Sequence, residues 1–573
     1  MSEDLHSKVH SCEKIGVVGS PSSNTAIAVD VIEEAYQKGL IGNFCVMEFT
    51  QDGSYVYPIG QVVSIILKNP YLERHSIRKI VSARGEASPL TEGHDIRMME
   101  ITVGSSFISN NGKLEPIIIG SVPPTGTRIY QLDQRVIDSI TEDYISDISV
   151  VGKIYNTDIN LPMIFRHFGD GYPGLGESYH IGIFGKTGSG KSYLARMILL
   201  SYARNEPMSI ILIDPQGEYA KEVKDNGILK HSLDNIGRSF EVVDASQIAL
   251  RNLNSLKRIL HISNFLEYMG VRAEENRENA ADLIADFFAE PKPVTTVTGE
   301  KIVCTLENSN WKNVFNVLMN YVKDRIERIY VNPDSQRRVL TRIDEDKDIL
   351  YSLWIRISKL FTTRGKVWVD EILERVTHKK QILIIDLSET SAVDLFWNDK
   401  VQSIVIKDII KSLEEQGSIL FRQGKTFNLL VATDEAHRLI PREKPEDEDF
   451  RALKNVFVDS VRTTRKYGLG WMFISQSVAS LEYEILNQLR LYFFGYGLFW
   501  GGERKVLEEM VGRGSHIQLY QSFRDPQTSA IYGKKEYPFM VYGPISPLSS
   551  FGAPLFLTAL DYEEEFPTLN KMN

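Results

Sequence analysis

The sequence predicts an α/β fold: a mostly parallel sheet, preceded by a small β-barrel and interrupted by a helical insertion. Three observations predict it. Gly185-Lys186-Thr187-Gly188-Ser189-Gly190-Lys191-Ser192 fits the phosphate-loop pattern and sits between an apolar run and a helix-forming run. From about residue 179 onward, continuous apolar runs that each end in a polar residue alternate with helix-prone stretches. Buried parallel strands look like this when their carboxyl ends form a ligand crevice. Residues 13 to about 165 differ, with short β-rich runs recurring between turn signals.

Taken in order, the first region has such runs at Ile15 to Gly19, Asn43 to Phe49, Tyr55 to Tyr57, Val62 to Leu67, Met98 to Val103 and Pro116 to Gly120. Gly53, Pro70, Gly93, Pro123-Pro124 and Gly126 punctuate them, so residues 1–165 are expected to form a barrel. Tyr179 to Phe184 then reads as a short buried strand, and Tyr193 to Tyr202, with Leu194, Met197, Ile198 and Leu199, as an amphipathic helix. Ser209 to Asp214 is the next core strand, which makes 166–244 the first part of the α/β core. Residues 245–380 are charged and helix-prone, as in Phe265 to Phe288 and Trp311 to Ile329, and are expected to be the insertion. Gln381 to Asp386, Asn428 to Asp434 and Gly470 to Gln476 complete the core over 381–545, leaving 546–573 as a C-terminal tail.

With 573 residues, 43% hydrophobic and 24% charged, the composition is that of a soluble globular protein of several domains. It has no run of about eighteen apolar residues, and Met1-Ser2-Glu3-Asp4-Leu5-His6 carries neither a basic patch nor an apolar segment. The expectation is a cytoplasmic protein that does not enter a membrane. Cys12, Cys45 and Cys304 are widely spaced and give no Cys-x-x-Cys, so they are expected to be reduced and structural. The net charge of −10 argues against a surface that is basic all round, though not against a basic channel.

The phosphate loop makes a nucleoside triphosphate, ATP, the expected ligand. Gly185, Gly188 and Gly190 let the backbone turn so that successive N–H groups form a nest for a phosphate, and the following helix adds its positive dipole end. Lys191 would supply a cation to the phosphates and the Ser192 hydroxyl a ligand for Mg²⁺. Lys186, Thr187 and Ser189 within the loop, and Tyr193 just after it, complete the candidate binding set. The second motif is Leu429 to His437, where an apolar strand delivers two adjacent carboxylates. Asp434 would hold the Mg²⁺ shell, and Glu435 would orient and deprotonate the attacking water. An Asp-Glu pair after a strand is more often a helix cap, but its place downstream of a phosphate loop favours the catalytic reading. His437 reads as a helix residue.

The phosphate loop, Asp214-Pro215-Gln216-Gly217-Glu218-Tyr219, Asp434-Glu435-Ala436-His437, Arg465-Lys466-Tyr467-Gly468 and Ile474-Ser475-Gln476-Ser477 occur in an order that resembles the HerA family. These are hexameric DNA translocases related to FtsK, and Ile15 to Val18 and Gly60 to Ile65 also resemble that family's barrel. The resemblance implies a RecA-like core and ATP hydrolysis at the subunit interfaces of a homo-hexamer with double-stranded DNA in its pore. It implies that Gln476 senses the γ-phosphate and that Arg465, with Arg462 as close competitor, reaches a neighbour's nucleotide; Glu218 is a secondary candidate. It further implies an effector enzyme on the ring, a nuclease or an NAD-hydrolysing sirtuin-like protein, working in DNA-end processing or antiphage defence. The alternatives are an ATP-binding scaffold that activates an effector and a conjugation-type or FtsK-like DNA pump. Pro441 to Pro445 could face DNA, whereas Glu446 to Asp449 would repel it, so the pore contacts stay open.

Overall fold

The structure is a computed structural model and describes residues 5–86, 93–110, 113–171, 174–295 and 301–572. Met1 to Asp4, read above for export signals, lie outside the described residues. The first eight strands are β1 (Lys14–Val18), β2 (Ala26–Val31), β3 (Phe44–Met47), β4 (Phe49–Gln51), β5 (Ser54–Lys68), β6 (Ile96–Asn110), β7 (Lys113–Pro116) and β8 (Arg128–Gln131). Six of them close an antiparallel barrel in the order β5-β3-β8-β1-β2-β6, with β6 returning to β5. Closure needs a tight bend in the long strand β5. At Gly60, beside a register shift, an added Cβ would lie 2.5 Å from both the Ile101 side chain and the Thr102 carbonyl, so only glycine fits. Ile15, Ile27, Val29, Val62 and Ile101 alternate inward and fill the barrel. The expected strand at Pro116 to Gly120 ends at Pro116.

The core strands are β9 (Ile148–Ile154), β10 (Asn160–Ile164), β11 (His180–Phe184), β12 (Ser209–Asp214) and β13 (Phe240–Asp244). Within the insertion are four short strands, β14 (Ile248–Ala249), β15 (Lys292–Thr295), β16 (Lys301–Cys304) and β17 (Val367–Trp368). The core resumes with β18 (Ile382–Asp386), β19 (Leu429–Thr433), β20 (Leu469–Ser475), β21 (Leu489–Gly495), β22 (Pro538–Tyr542) and β23 (Leu555–Ala559). One eleven-stranded sheet runs β10-β9-β23-β22-β21-β11-β20-β19-β12-β18-β13. The strands from β21 to β13 are parallel, whereas β22, β23, β9 and β10 extend the β21 edge antiparallel.

Two expected boundaries move as a result. Residues 148–164, assigned to the barrel, and 555–559, assigned to the tail, are strands of the core sheet, joined by Leu557↔Ile154 and Ala559↔Gly152. These partners come from opposite ends of the chain, and each alone is a short β-rich run that local patterning cannot place in one sheet or another.

Alternation along the buried strands feeds two cores. Ile210 and Leu212 of β12 face Leu199 and Leu200 of the helix Lys191–Ala203, in a buried cluster that continues to barrel residues such as Phe44 and Ile59, while Ile211 and Ile213 belong to the other cluster. On that second face lie the helices Asp399–Arg422 and Glu448–Thr464; the insertion's helix Leu253–Ile262 packs on the first of these, and the fully buried Trp354 sits inside the insertion among Phe265, Phe288 and Phe315. Polar ties reinforce the packing. Arg258 of the insertion is bidentate to the buried Asp449 at 2.8 and 3.0 Å, and Ser255 donates to the buried Asp408 at 2.6 Å. The three cysteines are free and buried. Among the described residues, no helix is long and apolar enough to cross a membrane.

Candidate active site

The carboxyl ends of β11, β19 and β20 meet at the phosphate loop. β11 is buried along its whole length, and the loop after it turns through Gly185, Gly188 and Gly190, with φ of 158°, 81° and 86°. These angles lie in the region that favours glycine, and they fold the loop over the start of the helix Lys191–Ala203. The loop is held from outside by the Lys186 N–H, which donates to the Tyr496 carbonyl at 3.0 Å, and by the Gly185 N–H, which donates to that of Ser475 at 3.3 Å. Lys191 is buried and donates to the Lys186 carbonyl at 3.1 Å, which places its ammonium inside the loop. The Ser189 hydroxyl is buried and has no hydrogen-bond partner among the described residues. A buried cation, an orphaned hydroxyl and a concave backbone fit a phosphate chain.

The acidic pair stands at the end of β19, beside this loop. Glu435 has φ 50° and ψ 37°, a left-handed conformation that turns it away from Asp434 and that a residue with a side chain adopts only under constraint. Its N–H donates to Asp434 Oδ1 at 2.7 Å. Gln476, at the end of β20, links the parts: its amide donates to Glu435 Oε1 at 2.7 Å and its carbonyl accepts from the Thr187 hydroxyl at 2.9 Å. Phosphate loop, carboxylate pair and glutamine therefore form one hydrogen-bonded group. On its far side His437 Nε2 lies 3.4 Å from Glu435 Oε2, while its Nδ1 is buried without a partner among the described residues.

Burial sets the electrostatics. It pushes the Asp434 carboxyl up to about 7, with the charges of Glu435, Glu218 and Asp214 adding to the effect and the Glu435 N–H opposing it. Burial lowers Lys191, and Asp434 and Glu435 counter that by attraction. A divalent cation near Asp434 would therefore replace a proton. Ser192 follows Lys191 at the start of the helix, so Ser192 and Asp434 offer a hydroxyl and a carboxylate, both hard oxygen ligands of the kind Mg²⁺ takes.

Other expected residues lie elsewhere or do something else. Asp214, the strand-end acid of β12, accepts from the N–H groups of Gly217, Tyr219 and Ala220 at 2.9–3.0 Å, so it caps the helix Glu218–Lys224. Glu218 opens that helix and reaches the site through its charge, felt by Lys191 and Asp434. Arg465 is not gathered into the site. It precedes the seven-residue β20 whereas Gln476 follows it, so about 23 Å of strand separates them. Arg465 is exposed and pairs with Glu177 at 2.5 Å, and Arg462, also exposed, pairs with Glu484 at 3.5 Å.

Tyr193 lines an open cleft of about 930 Å³ beside the loop. Tyr537 and Tyr562 flank it, with ring centroids 5.9 and 5.8 Å away, and Arg524 and Lys534 stand at the rim. A Cβ on Gly190 would run into the Tyr537 ring at 2.6 Å, so cleft and phosphate loop are contiguous. Sequence reasoning missed Tyr537 and Tyr562. Their only sequence signal is an aromatic residue just before β22 and another just after β23.

Residues 178–413 match the family model described as the central domain of the helicase HerA. That span contains the phosphate loop and ends before Asp434, Glu435, Arg465 and Gln476, whose placement rests on the geometry above. No curated protein matches the chain. Among solved structures, VirB4 of Thermoanaerobacter pseudethanolicus matches with 14% identity and a TM-score of 0.40, over 72% of this chain and 96% of that one. The bacterial conjugative coupling protein TrwB matches with 14% identity and a TM-score of 0.37, over 76% and 93%. The genome-packaging NTPase B204 of Sulfolobus turreted icosahedral virus 2 matches with 9% identity and a TM-score of 0.28, over 67% and 98%. With a phosphate loop, a buried lysine and a strand-end acidic pair gathered around one nest, the chain carries a HerA-type central domain and is a P-loop ATPase.

Proposed function

We propose that the protein is a ring-forming motor, a homo-hexamer, that hydrolyses ATP at its subunit interfaces to move along or unwind double-stranded DNA. One observation carries the reading. Everything needed to hold a triphosphate and activate water gathers at one end of the core sheet, while the two candidate arginines are exposed at the other end, out of reach of their own loop. A site completed by a neighbour's arginine makes hydrolysis depend on assembly.

In this reading the loop N–H groups and Lys191 hold the β- and γ-phosphates, and Ser192 and Asp434 hold Mg²⁺. Mg²⁺ when bound supplies charge neutralisation at the phosphate oxygens. Glu435 Oε takes the proton of the attacking water. Gln476, tied to Glu435 and Thr187, would exchange those partners for a γ-phosphate oxygen and the water. Arg465 from the next subunit stabilises charge on the transferring group. Tyr193 and Tyr537 offer a stacking surface for the base. With a net charge of −10, the DNA path is confined to a basic channel whose contacts are to phosphates. The ring's effector enzyme, a nuclease or a sirtuin-like NAD hydrolase, and a role in antiphage defence or DNA-end processing belong to the same proposal.

The test is ATP turnover with and without linear duplex DNA, together with displacement of a triplex-forming strand from that duplex. Stimulated turnover with ATP-dependent displacement is expected. Turnover indifferent to DNA, with the triplex left in place, would favour the scaffold reading instead.

A further inference from the structure

We propose that the outer face of the barrel carries a zinc site made of His6, His10 and Glu48, separate from the nucleotide site. His6 and His10 lie four residues apart on the helix Leu5–Ser11, hence on one face of it, and Glu48 stands between β3 and β4 opposite them. The two rings pack on each other with centroids 4.4 Å apart, and the carboxylate reaches one nitrogen of each. Its Oε2 is 2.7 Å from His6 Nδ1 and its Oε1 is 3.5 Å from His10 Nε2, and one ligand atom from each residue falls within 4.8 Å of the other two.

Two imidazoles and a carboxylate are a ligand set that Zn²⁺ takes readily, with a fourth position left to water. Zinc–ligand bonds of about 2.0–2.2 Å at tetrahedral angles put ligand atoms about 3.3–3.5 Å apart. The His10 Nε2–Glu48 Oε1 pair already has that spacing, whereas His6 Nδ1 meets the other carboxylate oxygen at 2.7 Å, so a shared ion needs the carboxylate to turn and the His6 ring to draw back. The surroundings supply what a metal-bound histidine needs. His10 Nδ1 is 3.1 Å from the Tyr130 hydroxyl, so with Nε2 on the metal the Nδ1–H donates to the Tyr130 oxygen and fixes the ring. Glu48 is mostly buried, and among the described residues its carboxylate is paired with these two histidines.

The ion would have a structural task. The helix Leu5–Ser11 has seven residues, buries only Leu5 and Val9, and is otherwise tied by Lys8, which donates to the Ser139 hydroxyl at 2.7 Å. Joining His6 and His10 to Glu48 through a metal pins this helix to the barrel wall.

The experiment uses the full-length protein, stripped with EDTA and kept free of Mg²⁺ and nucleotide, titrated with Co²⁺ and then Zn²⁺. One Co²⁺ per chain with visible d–d absorption of tetrahedral intensity is expected, displaced by one Zn²⁺ that raises the melting temperature. His10→Ala should weaken Zn²⁺ binding by at least about 100-fold and Tyr130→Phe by about tenfold. Asp434→Asn should leave the titration unchanged, which separates this site from the nucleotide site. The double variant His6→Ala/His10→Ala should lose the metal yet hydrolyse ATP with Mg²⁺ as the wild type does, showing that it folds. Failure of the wild type to take up Co²⁺ or Zn²⁺ stoichiometrically, or equal uptake by the double variant, would overturn the assignment and leave a histidine–carboxylate hydrogen bond.

Discussion

Replacing Asp434 by asparagine should make the nucleotide-free protein more stable at neutral pH. Asp434 is almost fully buried, and burial pushes its carboxyl from 3.8 to about 7. The native state therefore holds the proton more tightly than the unfolded chain does. For such a group stability is greatest below 3.8 and falls as pH rises, until the whole cost is in place above about 7. At about 1.4 kcal/mol per pH unit the cost reaches roughly 4 kcal/mol at pH 8 and about 1.7 kcal/mol at pH 5. Asparagine has nothing to ionise and escapes it. The stability gap between Asp434→Asn and wild type should thus widen by about 2.5 kcal/mol from pH 5 to pH 8. Urea unfolding followed by tryptophan fluorescence reads this, since Trp471 is buried on the neighbouring strand β20. Saturating Mg²⁺–nucleotide should close the gap, because that ligand favours the ionised carboxylate and offers the asparagine less. A gap that is absent at pH 8, or flat from pH 5 to pH 8, would refute the claim that the empty site holds a carboxyl shifted by burial.

Glu435→Gln should keep nucleotide bound but lower turnover by about 10²–10⁴-fold, because only the water-activating oxygen is lost. Single-turnover hydrolysis at a near-wild-type rate would return Glu435 to a capping role. Gln476→Ala should slow hydrolysis while leaving ADP affinity within about twofold, since its partners are Glu435 and Thr187 and its proposed contact is with the γ-phosphate. An equal loss of ADP affinity, measured by calorimetry, would instead make it a plain nucleotide-binding group. Arg258→Ala leaves the buried Asp449 without its bidentate partner and should cost about 3 kcal/mol. The urea midpoint of the core measures it, and an unchanged midpoint would mean that the insertion is not braced through this pair.

The parts of the fold that could be read from sequence are those fixed by local chemistry. β11, β12, β18, β19 and β20 are buried on both faces, so each reads as an apolar run, and β12, β18, β19 and β20 each lead into a polar residue at the carboxyl end. Asp434, Glu435 and Gln476 were legible for that reason. β13 was missed because it is the edge strand, half-exposed and with Glu241 inside a run of only five residues, and β2 because its six residues include the charged Asp30 and the alanines Ala26 and Ala28, all half-buried. β9, β10 and β23 carry no mark of which sheet they join, since β9 and β10 form a local hairpin whose link to the core sheet is the β9–β23 pairing across about 400 residues. Asp214 shows the limit of a motif, because a strand-end acid followed by Gly217 and Glu218 turns out to cap its own next helix. The distance between Arg465 and the loop was equally invisible, being set by the length and direction of β20.

A site shared between subunits is tested most directly by mixing two inactive variants. Arg465→Ala subunits keep an intact phosphate loop, and Lys191→Ala subunits keep an intact arginine. Neither alone should hydrolyse ATP. Random one-to-one co-assembly makes about one interface in four whole, so turnover should recover to a corresponding fraction of the wild-type rate and peak near equal mixing. No recovery at any ratio, with rings confirmed by mass, would contradict the account, because every site would then have to be built within one chain.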